Sequence, residues 1–305
     1  MKTRVRWFSL LTVFAFSATM HAEDKKKDPS QIGNRDVGKG INFYSLEKEI
    51  ALGKQLAEEV KRQSKMVDDP LITEYVNRTG QNLVRNSDAK VPFTFQVIDA
   101  DAPNAFSLPG GFVFVNTGLI ELAEEEDELA GAVAHEIAHV AARHSTRQAT
   151  KSELANLGTI PLSVLLGGWG GYAVRQGASV VVPMTFLSFS RRDESEADYL
   201  GLQYMYAAGY DPTGVITIFE KLDALNRRKP GTVGRLLSTH PMDRDRIQKA
   251  QKEIQEILPA RNEYVVSTSE YQDMRQRVIA REGQKKADPQ DNRPTLMRPT
   301  AGHEN

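Results

Sequence analysis

The chain contains no cysteine, and this absence removes several kinds of site at once. A disulfide framework, a cysteine zinc site and a lipid anchor on an N-terminal cysteine are all excluded. Neither sign of charge dominates, because 39 Lys and Arg residues face 40 Asp and Glu residues, so there is no electrostatic case for nucleic acid as a partner. Histidine is scarce as well, with 6 in the chain, so few residues are available for a histidine metal site.

An apolar run long enough to span a membrane comfortably is also lacking. The run Trp7–Ala18 follows basic residues and precedes the small residue Ala22, as in a secretory signal peptide. This run is too short for a typical membrane-spanning helix. We predict that residues 1–22 are a signal peptide and that the mature protein is periplasmic. An uncleaved membrane anchor is the alternative.

The composition suits a soluble globular chain with one large domain or two small ones, since 40% of the 305 residues are hydrophobic and 26% are charged. Periodicity and capping residues predict a mostly helical α+β chain. Helices are predicted at residues 45–63, from 69 onward, and at 117–124, 128–144, 191–208, 211–226, 243–258 and 268–281. Strands are predicted at residues 93–98, 112–115 and 264–266. Residues 23–42 are predicted to be a linker and residues 282–305 a disordered tail.

The segment Glu128–His144 carries the zinc-protease pattern His-Glu-x-x-His. It is rich in Ala, Leu, Glu and Val and lacks proline, so it is predicted to be a helix, and its many small residues would let neighbouring elements enclose it tightly. On a helix His135 and His139 share one face and can bind one metal ion. Glu136 is rotated by about 100°, too far to be a ligand but near enough to reach a metal-bound water. The spacing predicts two zinc ligands and one general base; two histidines on a polar helix face are the alternative.

Catalytic zinc usually takes three protein ligands, so a further donor is needed. A later charged run offers Glu194 and Asp198 on one face of a helix, whereas Glu196 points to another side. Glu194 could bind zinc while Asp198 orients a ligand imidazole, unless the run is simply a solvated helix face. His144 would face away from His139 on a continuous helix, so we interpret it as a cation at the helix C-terminus.

The two motifs together resemble the zinc metallopeptidases that include HtpX and the CAAX prenyl proteases, and above all their soluble, exported BepA-like group. The resemblance covers about residues 45–258. Further matching segments are Asn104–Gly111, Phe112–Asn116, Ser190-Arg191, and Ser238–Pro241 with Arg246. The integral-membrane members have spanning helices, and some exported members carry a helical-repeat domain. We expect neither here, so the substrate range cannot be transferred.

This resemblance implies a gluzincin-type metallopeptidase domain at residues 43–260, with an active-site helix and a small β-sheet. A C-terminal extension is then expected at residues 261–281. The resemblance also implies one Zn²⁺ ion per chain, held by His135, His139 and Glu194. By the same resemblance Glu136 is the general base and Asp198 a site acid.

A strand after the Gly110-Gly111 turn is a candidate for substrate binding. If residues 112–116 lie at a sheet edge, they could pair with an extended substrate backbone, which would give little sequence selectivity. An ordinary internal strand is the alternative. The candidate substrate-binding residues are Asn104, Phe112, Val113, Phe114, Val115 and Asn116.

His240 is predicted to lie in a loop near zinc, because Pro241 disfavours a helix at the residue before it. It could donate a hydrogen bond to an oxyanion, or it could take the fourth zinc position and silence the enzyme. We favour the second role; a surface histidine is the alternative. Arg246 could bind a substrate carbonyl or pair with Asp198. The glycine-interrupted stretch Ile160–Phe189 is predicted to be a mobile cover over the cleft, with buried helices as the alternative.

We therefore predict a zinc metalloendopeptidase that hydrolyses peptide bonds of misfolded or unassembled envelope proteins. Glu136 would accept the proton of a zinc-activated water and deliver it to the leaving amine. Expected partners are unfolded protein substrates, possible outer-membrane assembly machinery and a peripheral membrane contact. The alternative is a periplasmic chaperone or assembly factor with rare or latent proteolysis. A structural zinc domain is disfavoured, because structural zinc needs no base.

Overall fold

The computed structural model describes residues 28–156, 189–228, 240 and 244–287, and the structural statements below concern these residues. The helices, numbered in chain order, are α1 (Leu46–Gln63), α2 (Pro70–Arg85), α3 (Thr117–Leu122), α4 (Glu126–Ala141), α5 (His144–Asn156), α6 (Arg191–Ala208), α7 (Thr213–Arg228), α8 (Arg244–Ile257) and α9 (Ser269–Ala287). The strands are β1 (Thr94–Ile98), β2 (Ala105–Leu108) and β3 (Phe112–Asn116). A mostly helical α+β fold with a small sheet is thus confirmed.

Capping residues explain where several helices begin and end. The side chain of Ser45 accepts a backbone hydrogen bond at the start of α1, and Asp69 does the same at α2. Ser190 and Asp193 form a reciprocal capping box at the start of α6. Gly209 ends α6 with a left-handed φ of 92°. The helix starts and the stop predicted from these residues are confirmed.

The sheet has the strand order β1-β3-β2. β3 pairs in parallel with β1 and antiparallel with β2, so neighbours hydrogen-bond both of its edges. The prediction that residues 112–116 form an edge strand is therefore wrong. The unpredicted strand β2 spans four residues, which is too short for a reliable periodic pattern.

Helix α4 lies at the centre of the fold and packs against α6, α7, α2 and β2. All of its residues except Ala132 are buried. Small side chains permit this enclosure: a Cβ atom added to Gly131 would lie 2.8 Å from the Val215 Cα of α7. Similarly, a Cβ added to Gly214 of α7 would lie 2.6 Å from the Asp127 carbonyl carbon of α4. The prediction of a tightly enclosed central helix is confirmed.

The C-terminal boundaries predicted from composition are wrong. Helix α9 continues to Ala287, so the predicted disordered tail does not begin at residue 282. The helix packs against α2 and α3, and it adds Tyr271, Met274 and Val278 to the hydrophobic core. These apolar residues make the segment after residue 260 part of the same packed unit. The strand predicted at 264–266 is reduced to one bridge between Tyr210 and Val265.

The predicted linker is also packed where the structure describes it. Arg35 is buried and forms an ion pair with Asp88, and its Nη1 donates a hydrogen bond to Gln203 of α6 at 2.6 Å. Val37 belongs to the core. Arg35 and Val37 therefore fasten the segment to the fold, while most of residues 28–42 are exposed or half-buried.

Several predictions fall outside the described residues. These are the signal peptide at 1–22, the stretch 160–189 except Phe189, the loop 237–241 except His240, and the tail from 288 onward. Where helices are described, none combines the length and the apolar character that crossing a membrane requires.

Candidate metal centre

Two histidines one turn apart on α4 form the first half of a buried cluster. The Nε2 atoms of His135 and His139 lie 3.0 Å apart. The ring of Phe189 stacks on His139 with a centroid distance of 3.9 Å, and Phe219 meets His135 edge to face at 5.9 Å. These aromatic contacts restrict the orientation of both imidazoles.

Helix α6 crosses α4 and brings Glu194 to the two histidines. Glu194 is completely buried, with Oε2 3.4 Å from His135 Nε2 and Oε1 3.4 Å from His139 Nε2. The close crossing depends on Gly201, where an added Cβ would lie 3.3 Å from the backbone nitrogen of His135. Because Glu194 and Asp198 are buried, the interpretation of this charged run as a solvated helix face does not hold.

His240 completes the cluster from a distant part of the chain. It is only 4% exposed, and its Nδ1 lies 3.1 Å from Glu194 Oε1 and 3.3 Å from His135 Nε2. The alternative of a surface histidine before a proline is wrong. The loop position predicted for it lies among residues that are not described.

The four side chains fit a bound metal ion. One ligand atom from each of His135, His139, Glu194 and His240 lies within 4.8 Å of all the others. In five of the six pairs the nearest ligand atoms lie 3.0 to 3.4 Å apart. Four tetrahedral ligands at about 2.0–2.1 Å from zinc would be about 3.3–3.4 Å apart, which agrees with these distances. Three imidazoles and one carboxylate are also suitable donors for zinc.

Glu136 lies beside this cluster without belonging to it. Its Oε2 accepts a hydrogen bond from Ser107 Oγ of β2 at 2.8 Å, and its Oε1 lies 3.4 Å from His240 Nε2. Sequence reasoning missed Ser107. The only sequence signal was its place inside the matching segment at residues 104–111, and no spacing links it to Glu136.

Arg246 and Asp198 contact two residues of the cluster, Glu194 and His135. Arg246 of α8 donates two hydrogen bonds to Asp198, from Nε at 2.8 Å and from Nη2 at 2.7 Å. Its Nη1 lies 2.8 Å from Glu194 Oε2. Asp198 Oδ1 in turn lies 3.0 Å from His135 Nδ1. Of the two roles considered for Arg246, the structure shows the pairing with Asp198.

Burial and charge act on the same residues in opposite directions. Burial holds the pKa of His139 well below its usual value and outweighs the nearby Glu194 carboxylate. Burial also lowers the pKa of His135, but Asp198 and Glu194 outweigh it and raise that pKa to about 9. Burial would raise the pKa of Glu194, yet the charge of His240 and hydrogen bonds from both α4 histidines hold it well below its usual value. These opposing effects act on the residues that would bind the metal, whose ligation requires neutral imidazoles and an ionised carboxylate.

Two residues that sequence reasoning set aside lie next to the cluster. Helix α4 ends at Ala141, and His144 begins α5. His144 Nδ1 lies 3.0 Å from His139 Nδ1, and His144 Nε2 lies 3.4 Å from Glu196 Oε2. The interpretation of His144 as a cation at a helix C-terminus is wrong, because α4 ends at Ala141 and His144 is the first residue of α5. The periodicity argument assumed one continuous helix.

The predicted substrate-binding residues are not brought together at an accessible edge. Val113, Phe114 and Val115 are fully buried in the central strand, and Asn116 is 7% exposed. Asn104 is half-buried, and its carbonyl accepts the backbone hydrogen bond of Asn116. Strand β2, which follows Asn104, lies at an edge of the sheet.

A cavity of about 30 Å³ lies beside the cluster. Its lining residues are Ala105, Leu119, Ala132, His135, Glu136, Phe219, Leu222, His240 and Arg246. One wall is apolar, and the other is formed by the cluster residues and Glu136. The space is large enough for a water molecule or a small apolar group.

The chain matches a known protein family. A model described as peptidase family M48 matches residues 70–254, which is more than half of the chain. The matched range includes both α4 and the α6 carboxylates.

Comparison with individual proteins gives relatives from bacteria and mitochondria. The chain is 31% identical over 236 residues to the beta-barrel assembly-enhancing protease of Escherichia coli (strain K12), covering 74% of this chain and 47% of that relative. The protein of the same name from Yersinia pestis is 30% identical over 247 residues, covering 78% and 50%. The mitochondrial metalloendopeptidase OMA1 of Schizosaccharomyces pombe is 36% identical over 195 residues, covering 61% and 53%. The chain spans about half the length of these curated relatives.

Proposed function

Because the chain belongs to peptidase family M48, whose model matches residues 70–254, we propose that it is a zinc-dependent endopeptidase. The observation that carries this proposal is the Glu136 carboxylate beside a buried cluster of four metal-binding side chains. His135, His139 and Glu194 would hold the ion, and His240 would occupy its fourth position only in the resting protein. The resemblance to zinc metallopeptidases seen in the two motifs agrees with the family.

The residues around the cluster have separate roles in the proposed reaction. Bound zinc would act as a Lewis acid that lowers the pKa of a water molecule and polarises the peptide carbonyl. Glu136 takes the proton of the attacking water and delivers it to the leaving amine. Ser107 holds Oε2 of that carboxylate, which leaves Oε1 for the proton transfer. Asp198 and Arg246 fix the ring of His135 from the opposite side.

We propose that an extended substrate pairs with β2 and not with β3. Strand β2 lies at a sheet edge and carries Ser107, so a backbone beside it would pass close to Glu136. The apolar wall of the neighbouring cavity would receive one small side chain. Recognition through the backbone and one shallow contact suits unfolded proteins as substrates.

The proposed clients are misfolded or unassembled envelope proteins, met after export to the periplasm. The Escherichia coli relative is named a beta-barrel assembly-enhancing protease, and residues 1–22 have the pattern of a signal peptide. Outer-membrane assembly machinery is a proposed partner. A second candidate function is an assembly factor with latent proteolysis. It is favoured by His240, which as a fourth protein donor would leave no position for water.

Casein digestion by the purified protein tests the enzymatic proposal. We expect cleavage by the wild type, loss of cleavage after a chelator removes zinc, and recovery when zinc is restored. Glu136→Gln with full zinc content is the control for a contaminating protease. Cleavage that persists in metal-free protein would refute the metallopeptidase proposal.

Mass spectrometry of the exported form tests the proposed address. We expect a soluble mature chain that begins near Glu23. An intact Met1 start in the membrane fraction would favour the uncleaved anchor.

A further inference from the structure

Each histidine that the proposed function assigns to the metal has a second ring nitrogen that needs a partner. The Nδ1 of His135 lies 3.0 Å from Asp198 Oδ1, whereas the Nδ1 of His139 lies 3.0 Å from another imidazole, that of His144. We propose that His144 is a positioning residue for His139 and that Glu196 positions His144. The inference rests on the proposed function, since it concerns how one ligand of that site is oriented.

The hydrogen atoms of this chain can be assigned in one consistent direction. A neutral imidazole carries one hydrogen, so His139 with Nε2 turned to the metal carries it on Nδ1. His139 Nδ1–H then donates to His144 Nδ1, which must accept. The hydrogen of His144 is therefore on Nε2 and is directed at Glu196 Oε2, 3.4 Å away. A carboxylate thus acts on His139 through one intervening ring, as Asp198 acts on His135 directly.

The backbone holds His144 in place through a strained turn. Arg143 is the one non-glycine residue with positive φ in the described part of the chain, at 58°. Such a conformation persists only where the surroundings demand it. Arg143 Nε donates to Glu49 Oε1 at 2.8 Å, and Thr146 donates to the same oxygen. This anchored turn separates α4 from α5 and places His144 against His139.

Other charged groups near His144 already have partners of their own. Asp193 Oδ1 is 3.9 Å from His144 Nε2, but Asp193 forms the capping box of α6 with Ser190. Arg147 Nη1 lies 3.7 Å from Glu196 Oε2 and steadies that carboxylate. His144 itself is 1% exposed, so water is not a competing partner for its ring. Glu196 is therefore the acceptor that fits best.

Matched substitutions separate the hydrogen bond from mere packing. In His144→Asn the amide oxygen can take the position of Nδ1 and still accept from His139. His144→Leu has similar bulk and no acceptor. Loss of such an outer partner typically weakens metal binding by about 10–100-fold, so we expect that loss for Leu and less than about 5-fold for Asn. Glu196→Ala should weaken zinc binding, whereas Glu196→Gln retains an acceptor and should not.

The measurements are the zinc dissociation constant by chelator competition and the visible spectrum of the Co²⁺-substituted protein. A weakened affinity and a shifted Co²⁺ spectrum in the Leu variant, both restored in the Asn variant, support the proposal. Equal affinities in all variants, or equal losses for Asn and Leu, overturn it. In the His144→Leu background Glu196→Ala should have no further effect, and a full additional loss there also overturns it.

Two controls keep the result interpretable. Thermal unfolding of the metal-free variants shows whether each one folds. If His144→Leu does not fold, the Glu196→Ala and Glu196→Gln pair decides, because Glu196 is half-buried and tolerates substitution more easily. A wild type that binds no zinc would instead refute the proposed function, which is a different result from a wild type that binds zinc independently of His144.

Discussion

At the scale of single residues, holding a metal and moving a proton are assigned to different side chains. Glu194 is completely buried beside the two α4 histidines, and Arg246 forms an ion pair with it. Glu136 comes from the same helix as the histidines but is held by Ser107 of β2. Because these contacts are separate, single substitutions can abolish one role and spare the other.

The first prediction compares two glutamates of the site. Glu136→Gln should keep full zinc content and lose about 10²–10⁴-fold in turnover, the usual contribution of a general base. Glu194→Ala should lose bound zinc, because it removes an anionic donor from the cluster. Metal analysis and casein assays of both variants check this, with the exposed Glu58→Ala as control. Full zinc content in Glu194→Ala would contradict the assignment of Glu194 as a ligand.

The second prediction concerns His240, which lies 3.1 Å from Glu194 and 3.4 Å from Glu136. If it takes the fourth metal position at rest, His240→Ala should raise basal cleavage at nearly unchanged zinc content. If it donates to the oxyanion, the same change should lower turnover by about 100-fold. We expect the increase. Turnover and zinc content that are both unchanged would refute the two roles together.

At the scale of elements, α4 can occupy the centre because glycines allow its neighbours to approach closely. Gly131 on α4 lies against the Val215 backbone of α7, and Gly214 on α7 lies against the Asp127 backbone of α4. Gly201 on α6 lies against the backbone at His135. The pattern of small residues in α4 predicted enclosure. Which neighbouring helix meets each glycine depends on how distant segments pack, and no local pattern contains that information.

The third prediction compares two helical glycines. Gly131→Ala should lower the melting temperature, because its Cβ would meet backbone atoms of Val215 that cannot move without shifting α7. We expect a loss of about 1–3 kcal/mol, or roughly 2–5 °C for a chain of this size. Gly283→Ala on α9 meets nothing within 4 Å, so it should stabilise by about 0.5–1 kcal/mol. Equal effects of the two changes would contradict the tight packing of α4 against α7.

At the scale of the whole molecule, segments far apart in the chain pack into one core. The segment before α1 is tied to α6 through Arg35, and α9 adds Tyr271 to the core. Burial of this extent leaves charged groups in poor contact with water. Asp127, at the start of α4, is a clear case: burial, followed by the charges of Asp211 and Glu128, raises its pKa to about 7.

The fourth prediction follows from that raised pKa. Because the folded-state pKa of Asp127 exceeds the usual 3.8, the folded protein binds more protons than the unfolded chain between about pH 4 and 7, and stability falls as pH rises through this range. Asp127→Asn should gain a few degrees in melting temperature over wild type at about pH 8, and this gain should disappear near pH 4. Thermal unfolding across pH checks this. An identical profile for Asp245→Asn, an exposed aspartate in the first turn of α8, would contradict the role of burial.

Local sequence alone determined the helix carrying His135, Glu136 and His139, the helix carrying Glu194, and the caps at Ser45 and Ser190. These features depend on residues within a few positions of one another, where helical spacing and capping chemistry act directly. The family followed from the same two motifs.

Only the tertiary structure decided the features that depend on turns between elements, on strand pairing and on burial. The turn at Arg143 brings His144 to His139, strand pairing puts β3 in the centre and β2 at the edge, and α8 brings Arg246 to Asp198. Contacts of this kind join residues far apart in sequence, so no periodicity records them. Their geometry is decided by the packing of whole elements around α4. Polar groups that this packing buries must form hydrogen bonds with one another, because a buried polar group without a partner costs free energy.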